Sequence, residues 1–230
     1  MKRFFHNEQD NFQNRLILMG QKAVEVTRLA CKAVTDSDPV LAAEVIKADD
    51  AIDELEVEID REALRYITLR APVASDLRVF MVGTKVSHDL ERVGDEASSI
   101  AKRVIRVSRL APPLVAHEIP DMVLLAVDML VDAVNAYLEG DDQHAEDIVK
   151  RDRIMDEYHD NVFHTLTRHI KENPHDTEAC LEYLFIAKSL ERIGDHASNL
   201  AEEVVYIIRG DDDLRHSSEI KEFKTRDRQV

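Results

Sequence analysis

The sequence predicts an all-α protein made of two tandem three-helix bundles related by internal duplication. Three observations predict it. Turn formers are scarce, with six Gly and six Pro in 230 residues, and aromatics are only 5%. The chain is instead rich in Ala, Leu, Val, Ile and Glu, a mixture that favours helix over sheet. The few breaks divide the chain into six long runs, as bundle helices require. Finally, Leu-Glu-Arg-x-Gly-Asp occurs twice, at Leu90–Asp95 and Leu190–Asp195, with β-branched Val93 or Ile193 at x.

The elements follow from the breaks. A first helix over 4–35 ends before Asp36-Ser37-Asp38-Pro39, where Asp38 reads as an N-cap and Pro39 as the first residue of a helix over 39–70. Ala71-Pro72 interrupts the pattern, and Ser75 or Asp76 is placed to cap a third helix over 74–110. The stretch from Pro112-Pro113 to Pro120-Asp121 is the longest irregular segment and falls near mid-chain. A fourth helix over 120–139 stops at Gly140, and Asp141-Asp142 caps a fifth over 142–172. Asn173-Pro174-His175-Asp176 leads into a sixth over 176–209. The expected organisation is a first bundle over 1–114, a second over 115–210 and a polar tail over 211–230.

The repeat extends beyond the motif. Glu96-Ala97-Ser98-Ser99-Ile100-Ala101 aligns with His196-Ala197-Ser198-Asn199-Leu200-Ala201, and Glu44–Asp49 with Asp147–Asp152. A formal charge of −16 argues against a nucleic-acid backbone or an anionic membrane surface as a direct partner. Cys31 and Cys180 form no CxxC spacing and sit in apolar helical patterns, so both read as buried structural thiols. The N-terminus turns polar too soon for a secretory signal, and no apolar run reaches the ~20 residues of a membrane helix. The expected location is the cytoplasm.

Each half carries two acidic i, i+4 pairs: Asp49/Asp53 with Glu91/Asp95, and Asp152/Asp156 with Glu191/Asp195. Like charges at this spacing repel by a few tenths of a kcal/mol, so basic neighbours or a bound cation should offset them. At about 100° per residue, Asp152 points with Ile148, Phe163, Leu166 and Ile170, on the apolar side of its helix. Glu191 and Asp195 lie beside the apolar stripe Ile186, Leu190, Ile193, Ala197, Leu200 and Val204. The expected picture is a carboxylate cluster at the edge of a helix–helix seam, suited to hard cations. Asn199 extends the second row, whereas the first has Ser99 there and Lys102 opposite Glu202. The second copy is therefore the stronger candidate.

The competing reading pairs these carboxylates with arginines. Arg92 and Arg192 directly follow Glu91 and Glu191, but adjacent helical residues do not face each other; Arg103, Arg151 and Arg153 remain available. His88, His159 and His196 near the rows read as ordinary hydrogen-bonded histidines. Gly94 and Gly194 are mid-helix, where glycine costs about 1 kcal/mol against alanine. A repeated one points to close approach of another backbone or of a ligand.

These residues resemble the PhoU family of bacterial phosphate-signalling proteins. The resemblance rests on the two Leu-Glu-Arg-x-Gly-Asp-x-Ala segments, each preceded by Asp-x-x-x-Asp, on Phe12 with the helix Leu16–Val34, and on Arg70–Arg78 as linker; it covers about residues 4–209. It implies two three-helix bundles, each with a cluster binding iron, manganese, magnesium or zinc. The ligands it implies are Asp49, Asp53, Glu91 and Asp95, then Asp152, Asp156, Glu191, Asp195 and Asn199. It further implies no enzyme activity, a homodimer, and a role as negative regulator of the phosphate-starvation response. The implied partners are the ATPase subunit of the phosphate ABC transporter and a phosphate sensor histidine kinase, with the membrane reached only through them. Two alternatives stand beside it. One is a metal-free helical scaffold. The other is a ferritin-like di-metal enzyme, which needs two helical Glu-x-x-His motifs, whereas Glu172–His175 lies at a proline break.

Overall fold

The computed structural model describes residues 2–110 and 117–209, without the side chains of residues 2–7, 74 and 75. Among them are six α-helices and no strand: α1 (Lys2–Asp36), α2 (Pro39–Arg70), α3 (Ala74–Val107), α4 (Ile119–Glu139), α5 (Asp142–Glu172) and α6 (Thr177–Arg209). A 3₁₀ turn, Pro174–Asp176, joins the last two.

The expected punctuation is observed at most ends. Asp38 caps α2, its Oδ1 accepting from the amides of Val40 and Leu41 at 2.8 and 3.1 Å, with Pro39 at the first position. Gly140 closes α4 at φ +64°, and Asp141 Oδ1 then accepts from the amides of Gln143 and His144. Two ends differ from expectation. The third helix stops at Val107, with residues 108–110 forming a turn. Its N-cap is Val73, whose apolar side chain cannot accept a hydrogen bond, and Asp76 falls inside the first turn and acts on the helix dipole instead of capping. The side chain of Ser75, the mid-chain segment 111–116 and the tail 211–230 lie outside the described residues.

Helices α1, α2 and α3 form one triad and α4, α5 and α6 the other. The long helices α3 and α6 pack against each other about as extensively as α2 packs on α3 or α5 on α6. Cross-links along this seam fix it as antiparallel: Lys85 Nζ meets Glu203 at 3.2 Å, Arg192 meets Glu96 at 2.9 Å, and Arg103 meets Glu182 at 3.1 Å. One apolar core therefore runs through both triads, from Phe12, Phe80 and Tyr66 at one end to Met155, Val162 and Leu166 in the other bundle. Cys31 and Cys180 are both buried in it, as expected.

The stripe on α6 is as read, with Ile186, Leu190, Ile193, Ala197, Leu200 and Val204 all buried. That on α5 is not. Its buried residues are Ala145, Ile148, Met155, Val162 and Leu166, a stripe rotated enough to leave Phe163 47% exposed. Phe163 makes an edge contact with the His164 ring instead of entering the core.

Candidate metal centres

Gly94 and Gly194 show how the seams are set. A Cβ at residue 94 would stand 2.6 Å from Asp49 Oδ1 and 3.1 Å from Ile52 Cδ1; one at residue 194 would stand 3.2 Å from Met155 Cγ. The glycines let α2 approach α3, and α5 approach α6, but the groups that meet them are side chains, not the backbone or ligand expected from the sequence. In the first half one of those is an acidic carboxyl. Asp49 is 9% exposed, and its Oδ1 lies over the glycine and accepts no hydrogen bond. Burial, then the charge of Asp53, raises its pKa, while a hydrogen bond from Ser98 lowers it.

In the second half the expected residues converge. One carboxylate oxygen each from Asp156, Glu191 and Asp195 lies within 4.8 Å of the others. Asp152 stands one turn earlier on α5. Burial, followed by the charges of Asp195, Asp156 and Glu191, pushes its carboxyl up to about 7; burial and Glu191 push Asp195 up to about 6. Asp152 Oδ1 is buried and accepts no hydrogen bond. Lys188 supplies a close cation, its Nζ 2.7 and 2.6 Å from the two oxygens of Glu191. Asn199 turns toward α3 and donates to Asp89 Oδ1 at 3.5 Å, a carboxylate that also meets His196 Nδ1 at 3.0 Å.

In the first half the converging group is a different one. Glu91 lies with Glu56 and His88, again with one atom of each within 4.8 Å, and His88 Nδ1 is 3.3 Å from Glu56 Oε1. Asp53 and Asp95 are exposed beside it. Arg92 bends back along its own helix to Asp95 Oδ2 at 3.3 Å and Glu91 Oε2 at 3.4 Å. The expectation that a neighbouring arginine cannot serve Glu91 is thus corrected: its long stem lets the guanidinium return to both acids. Arg192 does not do this and crosses to Glu96. Burial and then Asp95 raise the pKa of Glu91, and burial and Asp95 likewise that of Asp53.

The other arginines go elsewhere. Arg103 and Arg106 both hold Glu182, Arg151 holds Asp132 at 2.5 Å, and Arg153 pairs with Glu157. The salt-bridge reading therefore accounts for part of the first cluster and, through Lys188, one member of the second. Asp49 and Asp152 remain beside them, both with raised pKa values and each with a buried Oδ1 that accepts no hydrogen bond. Such a donor set fits a hard cation, which supplies both the missing countercharge and the missing bonds. Of the histidines, His159 lies 4.0 Å from Asp160 and His196 pairs with Asp89, while His88 joins the carboxylates. Sequence reasoning missed Glu56. Its signal was a third acid one turn beyond Asp53 on the row facing α3.

A family model described as "PhoU domain" matches residues 16–104 and again 119–204. A Rhizobium meliloti protein named "phosphate-specific transport system accessory protein PhoU homolog" is 35% identical over 207 residues, spanning 90% of this chain and 87% of its own. A Pseudomonas aeruginosa relative of the same name is 34% identical over 92% of this chain and 88% of its own. The crystal structure of PhoU from Pseudomonas aeruginosa superposes with a TM-score of 0.88 at 33% identity, covering 90% of this chain and all of that one. A phosphate transport system regulatory protein PhoU from Streptococcus pneumoniae gives 0.78 at 27% identity, covering 90% and 98%.

Proposed function

Since the chain belongs to the PhoU family, we propose that it is a non-catalytic accessory protein of phosphate-specific transport. In this reading it keeps the phosphate-starvation response off when phosphate is plentiful. It couples the ATPase subunit of the phosphate ABC transporter to a sensor histidine kinase, works in the cytoplasm as a homodimer, and meets the membrane only through its partners. The match to relatives named as transport accessory proteins over nine-tenths of the chain carries the reading. No helix among the described residues is long and apolar enough to cross a membrane, which agrees with it. Against a ferritin-like enzyme, Glu172 ends α5 and His175 lies in the 3₁₀ turn, so the two share no helix face.

We further propose that both clusters hold metal cations. In the second half the ligands are Asp156, Glu191 and Asp195, with Asp152 behind them and Asn199 at the rim. In the first they are drawn from Asp49, Asp53, Glu91 and Asp95. A bound cation would neutralise the acids and tie α5 to α6, or α2 to α3, giving a partner surface whose shape depends on loading. The unbonded buried oxygens support this over a metal-free scaffold.

The function is tested by co-purification of the full chain with transporter ATPase and kinase from cells grown with and without phosphate. The expected result is association with either partner under phosphate-replete conditions. Association with neither would overturn the coupling role.

A further inference from the structure

The charge of the chain changes sign at one end of the α3–α6 seam. Its 46 Asp and Glu outnumber 30 Lys and Arg, yet none falls between Ala97 and His117, the longest acid-free run in the sequence. That run carries Lys102, Arg103, Arg106 and Arg109 over the last turns of α3 and the turn beyond it. At about 100° per residue Lys102, Arg106 and Arg109 share one sector, and all three are exposed. Cations in the last turn of a helix complement its dipole, which accounts for Arg106. Lys102 stands a turn earlier and Arg109 past the helix end.

The seam is antiparallel, so the beginning of α6 lies against this stretch. There Leu181 is 44% and Phe185 49% exposed, one turn apart. The Arg103 guanidinium covers the Phe185 ring at 4.1 Å from its centroid and donates to Glu182 Oε2 at 3.1 Å. Arg106 lies 3.6 Å from the other oxygen of Glu182. Glu182 thereby ties the ring and the cations into one platform, and exposed Glu178 bounds it one turn earlier. Phe185 is held in place without being buried.

We propose that this face docks an acidic amphipathic segment of a protein partner. An apolar side chain of that segment seats on Phe185 and Leu181, and flanking carboxylates meet Lys102, Arg106 and Arg109. The assignment rests on the adaptor reading, in which the segment belongs to the transporter ATPase or the kinase. Charge complementarity selects this occupant. A second copy of the chain meeting the same patch across a twofold axis would set like charges together. An anionic bilayer would face a molecule whose formal charge is −16. Aromatic rings and arginines are the side chains that most often carry interface energy. A ring already positioned by Arg103 loses little rotamer freedom on binding, while the exposed cations set encounter rate and partner choice.

The test measures binding of the full chain to the purified transporter ATPase and to the purified sensor kinase, at low and high salt. Phe185→Ala should weaken one of the two complexes about tenfold or more. Arg106→Gln/Arg109→Gln should weaken the same complex several-fold and flatten its salt dependence. The glutamines put no acid beside Glu182, and each variant should keep the helix content and Tm of wild type. Leu181→Ala, at a side chain already half exposed, repeats the Phe185 test at a position with little weight in folding. A photo-crosslinking residue in place of Leu181 should capture a partner peptide whose apolar residue lies between acids. Wild-type affinity and salt dependence in both Phe185→Ala and the double variant overturn the proposal while leaving the adaptor reading intact. Wild type that binds neither partner overturns the adaptor reading as well. Loss of binding to phosphatidylglycerol vesicles in these variants, with partner binding unchanged, makes the face a lipid contact and overturns the protein assignment.

Discussion

The same Leu-Glu-Arg-x-Gly-Asp segment gives different clusters in the two halves because of one residue outside it. Arg192 crosses the α3–α6 seam to Glu96, leaving Asp195 to face Glu191 and Asp156. The antiparallel seam would offer Arg92 the matching position on α6, but that residue is His196, whose ring goes to Asp89. Arg92 turns back to Asp95 and Glu91 instead. Lys102, where the second half has Glu202, adds a further favourable charge for Asp49, while Glu202 adds to the repulsion on Asp152. The first half thus offsets much of its acidity with its own cations. The second half retains more of its repulsion, and it is the half that gains most from a bound ion.

The largest contrast is expected at the glycines. Gly94→Ala drives a methyl into Asp49 Oδ1 and Ile52 and should cost about 1–3 kcal/mol in denaturant unfolding. At Gly194 the neighbour is a flexible methionine, and alanine brings about 1 kcal/mol of helix propensity. Gly194→Ala should therefore lie within roughly 0.5 kcal/mol of wild type. Equal costs at both sites would mean that the two seams are packed alike.

A smaller effect is expected from pH. A carboxyl whose folded pKa is raised carries no penalty below its unfolded value. The penalty grows as pH rises from 3.8 and is complete above about 7 for Asp152. The metal-free protein should therefore lose stability between about pH 4 and 7. Asp152→Asn should remove roughly 1–2 kcal/mol of that loss, after discounting for the partial exposure of the carboxyl, or about 3–6 °C in Tm. The variant should match wild type at pH 4. Asp95→Asn, beside Arg92, should show no such recovery in thermal scans at pH 8.

The smallest is a swap of the seam partner. His196→Glu gives Arg92 an acid across the seam and should release Asp95 toward Glu91. Stability should change by less than about 1 kcal/mol, as for exposed ion pairs, while manganese affinity at the first cluster rises several-fold. Unchanged affinity would show that Arg92 does not govern Asp95.

Much of this was legible in the sequence. Asp38-Pro39 and Gly140-Asp141 marked helix ends by local chemistry, which needs no tertiary information. The triad Asp156, Glu191 and Asp195 followed from spacing, because carboxylates on two facing rows meet whenever the helices pack. The group Glu56–His88–Glu91 did not. It depends on the register of α2 against α3, set by the close approach at Gly94, and on which way Arg92 turns, and neither is fixed by spacing within one helix. Phe163 failed for a related reason. A rotation of α5 by a fraction of a turn moves a stripe-edge residue from core to surface, and only the partner helices fix that rotation.

Metal content of the full chain, purified without a metal-chelating tag and compared with its Asp156→Asn/Asp195→Asn variant, tests the central claim most directly. Wild type should carry at least one bound cation per chain, with a Tm at pH 8 that falls by several degrees on chelation. The variant should lose the second-half ion and most of that response. Wild type with no stoichiometric metal and a Tm indifferent to added zinc, manganese or iron would contradict the account, leaving the acidic seams as features of a metal-free scaffold.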